Sequence, residues 1–181
     1  MSHAADSQPR ATSAALRVAA GGPIPADVAE RLRAGGRALE IDCGGGVGCL
    51  ALAETFPAAR VVGVDRDAAA IGRARALARA SELDRRVTFE LAGSTRFERA
   101  GFDLAAVRAV GRRPDAVQVL NEIRNALAPD GACLLVEPGA GTARARDARA
   151  EQIIALARGA GFLRCELACR EPDLDVYELR R

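Results

Sequence analysis

Lysine is absent from this sequence: all 26 basic residues are arginine, and the single histidine, His3, lies at the extreme N-terminus. Without lysine there can be neither a Schiff-base nucleophile nor a phosphate-loop lysine. A lone terminal histidine excludes a Ser-His-Asp triad and a histidine metal cluster. Aromatic residues make up only 3% of the chain, too few for a platform on which nucleic-acid bases stack. No apolar run approaches the roughly 20 residues that span a bilayer. A net charge of +2 gives no strong signal for nucleic acid or a membrane surface, and neither partner is expected.

The five cysteines are odd in number and fall mostly within apolar segments, so they read as reduced, small hydrophobic residues. Cys165 and Cys169 lie four apart with no histidine nearby, and no metal site is expected. The start, "MSHAADSQPRATSAAL", lacks a basic segment followed by an apolar block, which points to a cytoplasmic protein. Residues 1–21 read as a disordered lead-in and residues 22–181 as one domain. At 181 residues the chain can bury roughly 70% of its unfolded surface without a disulfide or metal staple.

What the sequence does contain is alternation. "ALEIDC", "RVVGVD", "RVTFEL", "FDLAAV" and "ACLLVE" read as buried strands. Between them, "VGCLALAETF", "DAAAIGRARALARASEL" and "DAVQVLNEIRNALA" repeat apolar residues at three- and four-residue steps, and "PDG" at 129–131 is expected to stop the last helix. This pattern predicts an α/β, doubly wound, mostly parallel sheet with helices on both faces. Near the end, "DARAEQIIALARGAGF" reads as a helix. "LRCELACR" and "VYELR", separated only by "EPDLD", must then be antiparallel neighbours, which puts a reversed strand at the end of the sheet. Residues 22–36 read as a short helix that packs on the sheet or covers a pocket. The arginines of "ARARDARA" read as a solvated helix face, or as a docking patch for an acidic partner.

The chemistry concentrates at "LEIDCGGGVGCLAL". Glycines between a strand and a helix let backbone approach a ligand while the first helix N–H groups stay free. The dinucleotide pattern G-x-G-x-x-G fails at its third glycine, where Cys49 stands. Asp65, about 20 residues beyond the loop at the end of the second strand, is placed to accept hydrogen bonds from ribose hydroxyls. As structural alternatives, the glycines form a turn and Asp65 caps the next helix.

"LEIDCGGGVG", "VVGVDRD", "LAPDGACLLVEP" and "GFLRCELACREPDLDVYELRR" together resemble the class I S-adenosylmethionine-dependent methyltransferases, across roughly residues 37–181. The second half is most similar to the methyltransferase portion of bacterial proteins that join a winged helix to this fold, though this chain is too short to carry that helix. The resemblance implies a seven-stranded sheet whose last strand is antiparallel, with S-adenosylmethionine as cofactor. By position it implies a cofactor loop from Glu40 through Asp42, Cys43, Gly44 and Gly45 to Gly46, with Asp65 at the ribose. Arg66 would lie beside the adenine or in solvent. Gly93 and Ser94 would stand where the family often has an acid for the adenine amino group. Val107 and Arg108 would close the fourth strand beneath the cofactor. No Asn-Pro-Pro-Tyr-like element is present, which argues against an amino-group nucleic-acid methylase.

One position departs from the family's acid-x-Gly-x-Gly-x-Gly loop: Asp42 stands where the first glycine belongs. It adds a Cβ and a second negative charge beside Glu40, a like-charge conflict that raises one carboxyl's pKa or pushes the side chains apart. Asp42→Gly is then expected to tighten cofactor binding by about 1 kcal/mol or more. Methyl transfer from a sulfonium needs alignment and exclusion of water, and a base only where the acceptor must lose a proton. Glu137, ending the fifth strand, either orients or deprotonates the acceptor or anchors the turn at Pro138–Gly141. Asp103, at the start of its strand, lies on the wrong side for chemistry.

Three functions compete: methyl transfer to a small-molecule acceptor, a non-catalytic member marked by Asp42 that binds the cofactor weakly or serves a partner subunit, and an NAD-dependent oxidoreductase. The last is disfavoured by Cys49 and by the lack of a Tyr/Lys or His catalytic group. Oligomerisation is left open.

Overall fold

The alternating apolar runs become strands and helices in turn, because each run is the length of one element and ends on glycine, proline or a charge. A computed structural model describes residues 24–92, 101–139 and 141–181. The lead-in at 1–21 and the positions Gly93 and Ser94 lie outside these residues. Among them the order is α1 (Ala26–Arg33), β1 (Arg37–Ile41), α2 (Val47–Thr55), β2 (Arg60–Asp65), α3 (Ala68–Ala80), β3 (Val87–Leu91) and β4 (Phe102–Arg108). A 3-10 turn at Val110–Arg112, α4 (Ala116–Ala126), β5 (Leu127–Pro138), α5 (Ala143–Gly159), β6 (Arg164–Arg170) and β7 (Leu174–Arg180) follow.

The seven described strands form one sheet in the order β3-β2-β1-β4-β5-β7-β6. β1 to β5 pair in parallel, and β7 runs antiparallel to both neighbours. The reversed strand is therefore not at the sheet's edge as expected: β7 inserts beside β5 and leaves β6 outermost. β7 wins that place because "DVYEL" is apolar enough to be buried on both faces, whereas β6 is largely exposed.

Alternate residues of one strand feed opposite faces. Val61 of β2 joins α1, α2 and α3 in one core, while Val62 and Val64 join α4 and α5 in the other. Leu120 and Ile123 of α4 are fully buried, and each such side chain is worth about 1.5–3 kcal/mol.

Two local expectations change and one is narrowed. Helix α4 ends at Ala126, before "PDG". Those three residues instead bulge out of β5, where pairing with β4 jumps from Phe102↔Leu127 to Leu104↔Ala132. Helix α1 packs on the sheet, the first of its two expected places, and does so at the sheet's amino-terminal end. Asp103 fastens it there, accepting from Arg31 Nε at 3.1 Å and from the Arg37 amide at 2.9 Å. The α5 arginines are not uniformly solvated, since Arg146 and Arg149 turn inward toward buried carboxylates.

Candidate cofactor site

β2, β1 and β4 are parallel neighbours, so their carboxyl ends adjoin at one edge of the sheet, where such folds place their ligands. β1 delivers Glu40 as the last polar side chain before the turn. It is buried, and its Oε2 accepts from Cys49 Sγ at 3.0 Å, with the Cys49 amide also bonded to it. Glu40 thereby ties the start of α2 back to β1. Burial raises the Glu40 pKa, opposed by Cys49 and by Arg108, whose Nη2 lies 3.6 Å from Oε1. Burial likewise pushes the Cys49 thiol well above its ordinary 9.0, so it remains a protonated donor to Glu40. Gly48 admits this contact: a Cβ there would sit 2.5 Å from Glu40 Oε1.

The loop itself turns through left-handed backbone at Asp42 (φ 55), Gly44 (φ 54) and Gly46 (φ 81). The Gly46 amide closes the turn on the Cys43 carbonyl at 3.0 Å, and a Cβ on Gly46 would collide with the Phe89 ring at 2.5 Å. Gly44 and Gly45 differ, because among the described residues a Cβ on either meets nothing within 4 Å. Backbone at these two residues borders open space, as a cradle for a ligand requires. Asp65 holds the cradle in place. Its Oδ2 accepts from the Gly44 amide at 2.7 Å and its Oδ1 from the Asp67 amide at 2.8 Å. Each oxygen keeps a second lone pair for a hydroxyl. The cap of α3 expected as an alternative role is made instead by Asp67, which accepts from the Ala69 amide.

Asp42 finds a countercharge in Arg113. Its Oδ2 accepts a short hydrogen bond from Arg113 Nη1. Arg113 also binds Asp115 through Nε at 2.9 Å and Nη2 at 3.1 Å, and Arg66 reaches the same Asp115 at 2.6 Å. Arg113 and then Arg66 hold the Asp115 carboxyl far below the ordinary carboxylate range. A chain Asp42–Arg113–Asp115–Arg66 thus runs from the loop after β1, past β4, to the end of β2. Arg66 is held by this ion pair while its side chain stays 60% exposed. Val107 is wholly buried and gives support rather than surface. From Arg113 an open groove of about 520 Å³ continues along Pro114, Val117, Asn121 and Leu156.

Glu137, expected either at the acceptor or as a structural anchor, lies inside the fold. It is 0% exposed, accepts from the Gly111 amide at 2.9 Å and lies 3.9 Å from Arg149 Nη1. It anchors the 3-10 turn after β4 and is sealed from solvent. Burial raises its pKa, with the Gly111 amide and Arg149 opposing. Asp175, its cross-strand neighbour on β7, is also buried and is met by Arg170 at 3.2 Å and Arg146 at 3.5 Å.

Arg113 and Asp115 escaped the sequence reading. The signal was "RRPD", four charged or rigid residues just beyond the fourth strand, on the side where Asp42 needed a countercharge.

A family profile described as a methyltransferase domain matches residues 32–168. No curated protein matches the chain. Solved structures with the same fold include the mitomycin 7-O-methyltransferase MmcR, at 22% identity and TM-score 0.72, covering 95% of this chain and 54% of that one. The O-methyltransferase NcsB1 from neocarzinostatin biosynthesis, in complex with S-adenosylmethionine and 2-hydroxy-5-methyl naphthoic acid, shares 20% identity and a TM-score of 0.65, over 82% of this chain and 50% of that one. The [4+2]-cyclase SpnF shares 20% identity and a TM-score of 0.59, over 87% and 72%. The chain thus spans about half the length of the two O-methyltransferases. With the profile covering most of its length and the seven-stranded sheet in place, the chain belongs to the class I methyltransferase family.

Proposed function

We propose that this chain binds S-adenosylmethionine in the Gly44–Gly45 cradle and promotes methyl transfer to a small-molecule acceptor. The observation that carries the reading is the cradle: two glycines facing open space, held at 2.7 Å by an aspartate with lone pairs to spare. Gly44 to Gly46 offer backbone to the ligand, Asp65 accepts ribose hydroxyls, and Glu40 keeps the loop and helix α2 in register. When bound, the cofactor supplies a sulfonium-activated methyl group.

The described residues include no histidine, the sequence has no lysine, and the single tyrosine, Tyr177, is 1% exposed within the sheet. The carboxylates near the crevice are engaged with arginines or amides. The chain therefore aligns its acceptor and excludes water rather than removing a proton, and it suits an acceptor that is already nucleophilic at neutral pH, such as an acidic phenol, a thiol or an amine. The groove beyond Arg113 is the side from which such an acceptor approaches. Among the described residues no helix is long and apolar enough to cross a membrane, and we place the protein in the cytoplasm.

A second reading has support in Asp42 and its arginine, which crowd a loop that the family keeps bare: a member that binds the cofactor without catalysis. Calorimetric titration with S-adenosylmethionine, S-adenosylhomocysteine and NAD decides between them, followed by a methylation assay. Binding of both adenosyl compounds is expected. Binding with no turnover on nucleophilic acceptors favours the second reading, and uptake of NAD alone overturns both.

A further inference from the structure

The Asp42–Arg113 ion pair occupies a place set by the sheet order. β2, β1 and β4 are consecutive neighbours, about 4.8 Å apart from strand to strand. A ligand whose ribose meets Asp65 at the end of β2 and which extends along the glycine loop, away from β3, reaches about 10 Å further, over β1 and β4. Asp42 follows β1 and Arg113 follows β4, and they meet at that point.

Both groups are arranged for exchange rather than for stability alone. Asp42 is a non-glycine residue in left-handed backbone, which costs roughly 1–2 kcal/mol for most residues and less for aspartate. Its side chain is 35% exposed, so its carboxylate is not sealed into the core. Arg113 is fastened on its other edge by two bonds to Asp115, and Asp115 is fastened in turn by Arg66. The guanidinium consequently stays in place when Asp42 lets go.

We propose that this pair is the receptor for the α-amino acid head of the methyl donor: Arg113 takes the α-carboxylate and Asp42 takes the α-ammonium. One ion pair is replaced by two, no charge is left alone, and Asp115 keeps the guanidinium aimed throughout. On this account Asp42 gives specificity for an adenosyl compound that carries a zwitterionic head. The inference rests on the cofactor reading above and deepens it.

The test compares S-adenosylhomocysteine with 5′-methylthioadenosine, which has the nucleoside and the thioether but no amino acid head. By calorimetry the wild-type chain should bind S-adenosylhomocysteine at least tenfold more tightly. Arg113→Gln and Asp42→Asn should each weaken that ligand roughly tenfold or more, as loss of a charged hydrogen bond does, while leaving methylthioadenosine within about twofold. Asp42→Gly removes the carboxylate while relaxing the backbone, so its loss of affinity cannot be blamed on misfolding, and thermal melts check all three variants. Equal wild-type affinity for the two ligands, equal losses for both in the variants, or a tighter Asp42→Gly complex overturns the head receptor and leaves the cofactor site standing. Failure of the wild-type chain to bind either ligand overturns the cofactor reading and this inference with it.

Discussion

Over β1 and β2 the carboxylates of Asp42 and Asp65 stay near the surface and steady a glycine loop in front of open space. Over β5 and β7 those of Glu137 and Asp175 are sealed from solvent and neutralised by Arg146, Arg149 and Arg170. The same two residue types, acid and arginine, build both regions. The difference lies in what approaches them. Among the described residues no side chain covers Gly44 or Gly45, whereas α5 lays its arginines directly on the β5–β7 pair. One end of the crevice is a receptacle, and the other is a clamp that holds α5 against the sheet. An acid at a strand's carboxyl end is thus a poor guide to chemistry until its covering helix is known.

The clamp should break hardest. Asp175→Ala strands two arginines beside a buried hole, and removing one partner of a buried charge group costs about 3 kcal/mol or more. Urea denaturation reads this directly, and a loss below about 1 kcal/mol would show that the clamp behaves as an ordinary surface pair. In the receptacle, Gly46→Ala drives a Cβ into Phe89 with left-handed backbone already in place. It should cost about 2–3 kcal/mol, again by urea titration.

Gly44→Ala sharpens the contrast, since the added Cβ touches no atom of the described residues. Stability should fall by only about 1–2 kcal/mol from backbone strain, while affinity for S-adenosylhomocysteine falls more than stability does. Unchanged affinity would mean the open space is not the ligand's.

The smallest effect is on pH dependence. Burial raises the Glu137 pKa above its ordinary 4.5, so the folded state holds that proton more tightly than the unfolded chain. The resulting stabilisation is present below pH 4.5 and is lost as pH rises through the folded-state value. Glu137→Gln removes this loss, so the variant should gain on the wild type as pH climbs from 4 toward 8, when melting temperatures are compared across that range. A difference that does not change with pH would show that Glu137 is ionised as readily as an exposed glutamate.

Much of the receptacle was legible in the chain order. Glu40, the glycines and Asp65 lie within 26 residues of one another, and a strand–loop–helix–strand unit carries them to one end of the sheet whatever else folds around it. The clamp was not legible. Glu137 reads as a free acid beside a turn until α5, which starts six residues later, brings Arg149 over it. The "ARARDARA" face likewise reads as solvated until β7 inserts beside β5 and sets Asp175 next to Glu137.

The sequence by itself determined the alternation of elements, the parallel sheet with its reversed C-terminal strand and the bare loop before α2, because periodicity and glycine act locally. Only the tertiary structure decided the partners of the charges. Asp42 meets Arg113 across 71 residues and Arg66 meets Asp115 across 49. Coulombic and hydrogen-bond pairing depends on distance in space, and that distance is set by the order in which the strands lie side by side.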